Sequence, residues 1–200
     1  MKPGQKFRNA LKNNKPLIIP GTINAYSAKL AELANHNSIY LSGSGVAAAS
    51  YGLPDLGVTT LENVLIDAKR ITSATSLPLL VDIDTGWGDF DAISNTIIEM
   101  GNANVAAVHI EDQIFDKRCG HRPNKQLVSI DEMQDRLKAA LDAKIDDSFF
   151  IMARTDALAS EGIEKAIERC GKYLDVGADG IFFEAAVSIE ECKEFKNNFY

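Results

Sequence analysis

Two acidic residues stand two apart in Asp82-Ile83-Asp84, at the end of the apolar run 79–83, and Glu111 follows the next such run. Side chains two apart on a strand share a face, so the two carboxylates meet at little ordering cost. Three hard anionic oxygens from neighbouring strand ends suit an octahedral Mg²⁺, with Mn²⁺ as the alternative. Strand-end acids also cap helices or pair with cations, and Arg154 at the end of a later run is such a cation. His109 sits in the same run as Glu111, and a lone strand histidine is expected to be a packed core residue. No His/Cys spacing suggests zinc.

A second group is Lys117-Arg118-Cys119-Gly120-His121-Arg122, a polar loop after Glu111. A thiol flanked by four basic side chains is expected to sit in a positive field, which favours thiolate and suits a nucleophile or proton donor. An exposed basic loop with an incidental thiol is the plainer alternative. Cys170 and Cys192 lie in helical, locally acidic stretches and are expected to be inert packing residues. A third group is Tyr40-Leu41-Ser42-Gly43-Ser44-Gly45, where glycines let backbone N–H groups approach an anion, unless the segment is only a structural turn. It matches neither a dinucleotide fingerprint nor a P-loop.

These residues need a scaffold that gathers strand ends. Short apolar runs recur at 17–19, 39–41, 79–83, 105–110, 149–153 and 180–183. Each is too brief for a helix and apolar on both faces, as a strand buried in a parallel sheet should be. Helix-patterned stretches alternate with them at 25–34, 60–75, 91–100, 130–143 and 162–176. Thr59, Ser129 and Ser160 are expected N-caps, and Gly101 and Gly177 expected helix ends. The six runs lead into Pro20-Gly21, Ser42-Gly43-Ser44, Asp82/Asp84, Glu111-Asp112, Arg154/Asp156 and Glu184, so polar residues crowd one end. A barrel carries its active site on that side, whereas a doubly wound sheet needs only one dressed switch point. A single-domain α/β barrel of the (β/α)₈ TIM type is therefore predicted. Five repeats between Pro20 and Glu184 run about 33 residues each, so two further βα units would add about 65. About six of eight units are expected in this chain.

At this point the residues resemble a known group. The stretch 117–121 is similar to the signature of the isocitrate lyase/phosphoenolpyruvate mutase superfamily, and Arg122-Pro123-Asn124-Lys125 looks like its methylisocitrate lyase branch. The segments 81–88 and 108–113, with the Arg154 and Glu184 strand ends, match as well, and the resemblance runs over nearly the whole chain. It implies Mg²⁺-dependent cleavage of 2-methylisocitrate to pyruvate and succinate, in the methylcitrate route of propionate breakdown. By the same resemblance Asp82 and Asp84 hold Mg²⁺, in part through water, with Glu111 and Asp55 in support. Ser42, Gly43, Ser44, Gly120, His121, Arg154 and Glu184 contact substrate, Arg154 also serving catalysis. Cys119 is the implied acid that protonates the succinate carbanion. The base is Tyr40, a metal-bound water or a nearby carboxylate. Ser44 departs from the family's frequent glycine, and family members continue into further substrate-binding strand ends and C-terminal helices. A truncated, inactive form and a lyase acting on isocitrate or oxaloacetate are the alternatives.

Composition bounds the rest. The 200 residues carry 21 Lys+Arg against 28 Asp+Glu, a net charge of −7. With its basic residues scattered, such a surface repels phosphate backbones, so no nucleic-acid partner is expected. No apolar stretch is long enough to span a bilayer, and the lysine-rich first sixteen residues have no apolar core of a secretory signal. Three cysteines without close pairs suit free thiols in a reducing compartment, so a cytoplasmic location is expected. The implied partners are a small tricarboxylate and, for the full-length family, further copies in a homotetramer.

Overall fold

The computed structural model describes residues 1–199. Five parallel strands, β1 (Ile39–Leu41), β2 (Leu79–Asp82), β3 (Ala107–Glu111), β4 (Phe150–Thr155) and β5 (Gly180–Phe183), pair in chain order. Strand order never reverses, which is the winding of an α/β barrel and not of a doubly wound sheet. The predicted first strand at 17–19 is not a strand. Its neighbour Gly21 forms a single parallel bridge to Tyr40, whose N–H donates to the Pro20 carbonyl at 2.9 Å. Pro16 and Pro20 lack amide donors, so this segment cannot build a longer ladder. Among the described residues no strand pairs with the far edge of β5.

Helices α1 (Pro3–Asn13), α2 (Ala25–Leu33), α3 (Gly43–Tyr51), α4 (Leu61–Ala74), α5 (Phe90–Asn102), α6 (Ile130–Asp142), α7 (Leu158–Glu161), α8 (Ile163–Val176) and α9 (Ile189–Phe199) complete the chain. The crossover helices α4, α5, α6 and α8 pack side by side over the outer face of the sheet. Three predicted boundaries need correction. Thr60, not Thr59, caps α4, accepting from the Asn63 N–H and completing a capping box. Ser160 lies inside the short α7, and α8 starts after Gly162. Gly101 lies inside α5, which ends at Asn102 with Ala103 as its C-cap. Ser129 and Gly177 act as expected, Gly177 with φ of 114°. None of the described helices is long and apolar enough to cross a membrane.

Strand alternation decides what faces the barrel interior. Val81, Val108, Ile110, Ile151 and Ala153 point outward into the main core, under α4, α5 and α6. Their neighbours Leu80, Ala107 and Phe150 point inward and close on Phe7 of α1, whose ring meets Phe150 edge-on at 5.2 Å. Helix α1, missed in the sequence reading, thus plugs the N-terminal end of the strands. The same parity carried two to four residues further brings Asp82, His109, Glu111 and Arg154 to the opposite, C-terminal end of that inner face.

Candidate active site at the strand ends

Parallel registration brings the site together: Asp82 pairs with His109, and Glu111 pairs with Arg154. After β2 the chain turns sharply at Asp84, with φ of 47°, a conformation aspartate tolerates. The turn is held by the Asp84 N–H donating to Asp82 Oδ1 at 3.1 Å and the Glu111 N–H donating to the Asp84 carbonyl at 2.9 Å. Oxygens of Asp82, Asp84 and Glu111 consequently lie within 4.8 Å of one another, all three side chains buried. Asp84 Oδ1 and Glu111 Oε2 accept no hydrogen bond, although acceptors this deeply buried are ordinarily satisfied. They meet only charge: Lys117 Nζ is 2.5 Å from Asp84 Oδ1, and Arg154 Nε is 3.3 Å from Glu111 Oε2. Orphaned anionic oxygens at this spacing fit a divalent cation, and the triad can hold a metal ion. Asp55 stands apart from the triad and accepts from Lys117 Nζ at 2.9 Å.

Crowding and burial set the protonation states. Burial, and then the negative charge of Asp82, push Asp84 up to about 6, against the pull of Lys117. Burial likewise raises Glu111 well above the usual carboxylate range. Burial alone would raise Asp82 too, but His109 where acid protonates it, together with the fixed charges of Arg154 and Lys117, outweighs it and holds Asp82 low. Burial pushes His109 down to about 4, so near neutral pH the ring is uncharged.

His109 is fully buried and packed, as expected, its ring 4.7 Å from that of Phe182, but it also faces the acids: Nε2 lies 2.9 Å from the Tyr40 hydroxyl, and Nδ1 lies 3.7 Å from Asp82 Oδ1. Its two-residue offset from Glu111, which puts both on one strand face, was the signal available in the sequence. Burial raises the Tyr40 hydroxyl, so it stays a phenol.

The Gly-rich segment opens a helix. Ser42 caps α3, and the Gly43 N–H donates to Asp82 Oδ2 at 3.1 Å. A Cβ on Gly43 would lie 3.2 Å from that oxygen and 3.3 Å from Asp84 Oδ1, so the glycine lets the helix start close to the acids. Ser42 and Ser44 share a hydroxyl hydrogen bond of 2.8 Å.

Across the barrel mouth lies the 117–122 loop. Its Lys117 is buried among acids and His121 Nε2 sits 3.4 Å from Glu184 Oε1, so two of the four bases expected to surround Cys119 are committed to carboxylates. Cys119 is half-buried and lines a cavity of about 320 Å³ with Asp55, Arg118 and Arg122. Cys170 is buried, but Cys192 is exposed, contrary to expectation. Gln113 fastens the loop root to the triad, donating to Glu111 Oε1 at 3.0 Å and accepting from the Arg118 N–H at 3.0 Å. Arg154 reaches Glu184 Oε2 at 3.3 Å and is gripped by Asp156 through two bonds of 2.9 and 3.1 Å. Gln113, Lys117 and Asp156 were not singled out as site residues from the sequence: Lys117 meets an acid 33 positions away, and Gln113 and Asp156 act on near neighbours through side-chain directions that only the folded strand ends set.

The geometry has close counterparts. A 2-methylisocitrate lyase of Shewanella oneidensis is 60% identical over 193 residues, covering 96% of this chain and 66% of that protein. One of Vibrio cholerae is 57% identical, covering 98% and 63%. The chain thus spans somewhat less than two thirds of the length of these relatives. The crystal structure of a 2,3-dimethylmalate lyase superposes with a TM-score of 0.93 at 34% identity, covering 100% of this chain and 67% of that one. A phosphonopyruvate hydrolase solved with oxalate and Mg²⁺ gives 0.86 at 32% identity, covering 98% and 68%. The family described as phosphoenolpyruvate phosphomutase matches residues 7–199. With barrel winding, acidic triad and match coextensive over nearly all its residues, the chain belongs to the phosphoenolpyruvate phosphomutase family.

Proposed function

We propose that the strand ends form a divalent-cation-dependent carbon–carbon lyase site that cleaves 2-methylisocitrate to pyruvate and succinate. The observation that carries this reading is the buried acidic triad beside Arg154, beneath the Cys119 loop, in a chain 60% identical to a 2-methylisocitrate lyase. Asp82, Asp84 and Glu111 would hold Mg²⁺, or Mn²⁺ in its stead, with Asp55 in support. When bound, the cation supplies Lewis-acid neutralisation of charge on the substrate oxygens.

The chain's own groups account for the remaining steps. Arg154, Glu184, His121, the Gly120 backbone and the first turn of α3 at Ser42, Gly43 and Ser44 bind the substrate carboxylates and hydroxyl. Tyr40, with His109 Nε2 behind its hydroxyl, takes the proton of the C2 hydroxyl as its own proton passes to His109. The C2–C3 bond then breaks, C2 becoming the keto carbon of pyruvate. The electron pair moves onto C3 and its carboxylate, where preorganised cations are worth most. Cys119 Sγ–H delivers a proton to that carbon, giving succinate, while the loop excludes water.

A soluble cytoplasmic enzyme of propionate breakdown, assembled as a homotetramer, completes the reading. A chain that binds the substrate without turning it over is the second reading, favoured by the interior cavity left open beside Met152 and Phe182 at the free edge of β5. Side-by-side pyruvate or succinate release from 2-methylisocitrate, isocitrate and oxaloacetate tests both. A preference for 2-methylisocitrate over isocitrate of about 10- to 200-fold is expected from one methyl group. Faster turnover of either other acid would overturn the substrate assignment, and no turnover of any acid by folded, Mg²⁺-loaded chain would favour the second reading.

A further inference from the structure

Lys125 takes part in none of the steps above, yet its side chain is only 2% exposed. Its ammonium donates to the Gly120 carbonyl at 2.7 Å and to Asp156 Oδ1 at 3.0 Å. Asp156 is fully buried and is the same carboxylate that grips Arg154, sharing Oδ1 between Arg154 Nη2 and Lys125. Its backbone N–H is fixed in turn by donating to Asp112 Oδ1 at 2.9 Å. One carboxylate therefore holds both the guanidinium at the end of β4 and the ammonium that grips the loop.

A Cβ on Gly120 would come 2.5 Å from Arg154 Nη2 and 2.6 Å from Glu184 Oε1, so the loop backbone is seated directly on these two side chains. Cys119 is joined to this seat through the turn that its carbonyl closes with the Arg122 N–H at 2.8 Å. A charge-assisted bond inside a dry site is far stronger than one at the surface. The Lys125 ammonium hydrogen-bonds both the loop backbone and the carboxylate that grips Arg154.

We propose that Lys125 is the positioning residue of the Cys119 loop. It ties the Gly120 carbonyl to the carboxylate that orients Arg154, so that the loop and the guanidinium take their places together. The proposal rests on the reading of Cys119 and Arg154 as parts of one site, and it adds that a carboxylate ligand drawn to Arg154 is sensed at Gly120 through Asp156.

The rate of Cys119 alkylation by iodoacetamide, resolved thiol by thiol by mass spectrometry, tests this without reference to turnover. In Lys125→Met the Cys119 rate should rise at least about tenfold, as for the loss of a strong hydrogen bond. Buried Cys170 should stay unmodified as the internal gauge of folding, and Lys125→Arg should restore most of the protection. A wild-type Cys119 rate in folded Lys125→Met would overturn the proposal. Should Cys170 also react, showing that Lys125→Met is unfolded, Lys125→Gln carries the same test with a neutral donor. Adding oxalate with Mg²⁺ should slow the reaction in wild type and not in Lys125→Met; equal slowing in both would contradict the coupling. Oxalate without effect on wild type counts against the functional reading alone, because the comparison made without ligand still decides the role of Lys125.

Discussion

Lys117 Nζ lies 2.5 Å from Asp84 Oδ1, inside the acid cluster where a divalent cation would place its charge. The two cations must compete for that oxygen. Lys117→Met should therefore bind Mg²⁺ more tightly than wild type, by about an order of magnitude or about 1.4 kcal/mol. Titration calorimetry checks this, and equal or weaker binding would show that Lys117 and the metal do not compete.

Protons compete for the same oxygens. Asp84 is held near 6 against an ordinary 3.8, and Glu111 is raised in the same sense. A carboxyl raised in the fold favours the folded state most below its unfolded value, and that contribution is lost as pH rises through the folded one. For Asp84 the window runs from about 4 to about 6. His109, lowered from 6.5 to about 4, runs the other way, stabilising above 6.5 and losing that contribution as pH falls through 4. Its effect largely cancels when melts with and without cation are compared at one pH. The Mg²⁺-induced rise in Tm should accordingly be larger at pH 7 than at pH 5. A constant rise would show that the cation binds elsewhere.

How far the site could be read in advance depended on distance along the chain. Asp82, Asp84, Glu111 and Arg154 were legible because strand parity and parallel registration turn a short-range pattern into a spatial one. Val81 and Val108 were legible as core for the same reason. Lys117 and Lys125 were not, because their roles arise from partners 33 and 31 positions away that only the closed sheet brings near. The segment 40–45 reads from sequence as an anion cradle or a turn, since glycine weakens helices, whereas the close approach of Gly43 to Asp82 and Asp84 lets a helix start there. Helix α1 was missed because it precedes the first repeat, and what secures it is tertiary: Phe7 in the barrel floor and Arg8 bonded to the Ser148 carbonyl and Asp179.

Reactivity separates the three cysteines. Burial, with the charge of Asp112, pushes the Cys170 thiol up to about 12, whereas Cys192 is exposed and Cys119 half-buried. A colorimetric disulfide reagent at pH 8 should modify two thiols in the native chain, Cys192 before Cys119, and all three in denaturant. Native modification of Cys170 would contradict the packing described for α8.

Behind the site, Asp112 accepts from Thr155 Oγ1 at 2.8 Å, from Tyr173 Oη at 2.9 Å and from the Asp156 N–H at 2.9 Å. Replacing it by Ala strands three buried donors, while Arg169, 3.6 Å away, keeps Glu161, so urea unfolding should show a loss of about 3–5 kcal/mol. Tyr173→Phe leaves Asp112 its other partners and should cost about 1–2 kcal/mol. Equal losses for the two variants would mean that Asp112 does not organise the network.

The most direct test of the site as a whole is the rate of pyruvate formation from 2-methylisocitrate, followed with Mg²⁺, with excess chelator, and in Cys119→Ser. Pyruvate should form with Mg²⁺, cease with chelator and recover on adding Mg²⁺ back. Cys119→Ser, still binding the cation, should be slower by about 10²-fold or more, the usual range for a lost proton donor. Formation at the same rate with chelator present, or at the wild-type rate in Cys119→Ser, would contradict the account.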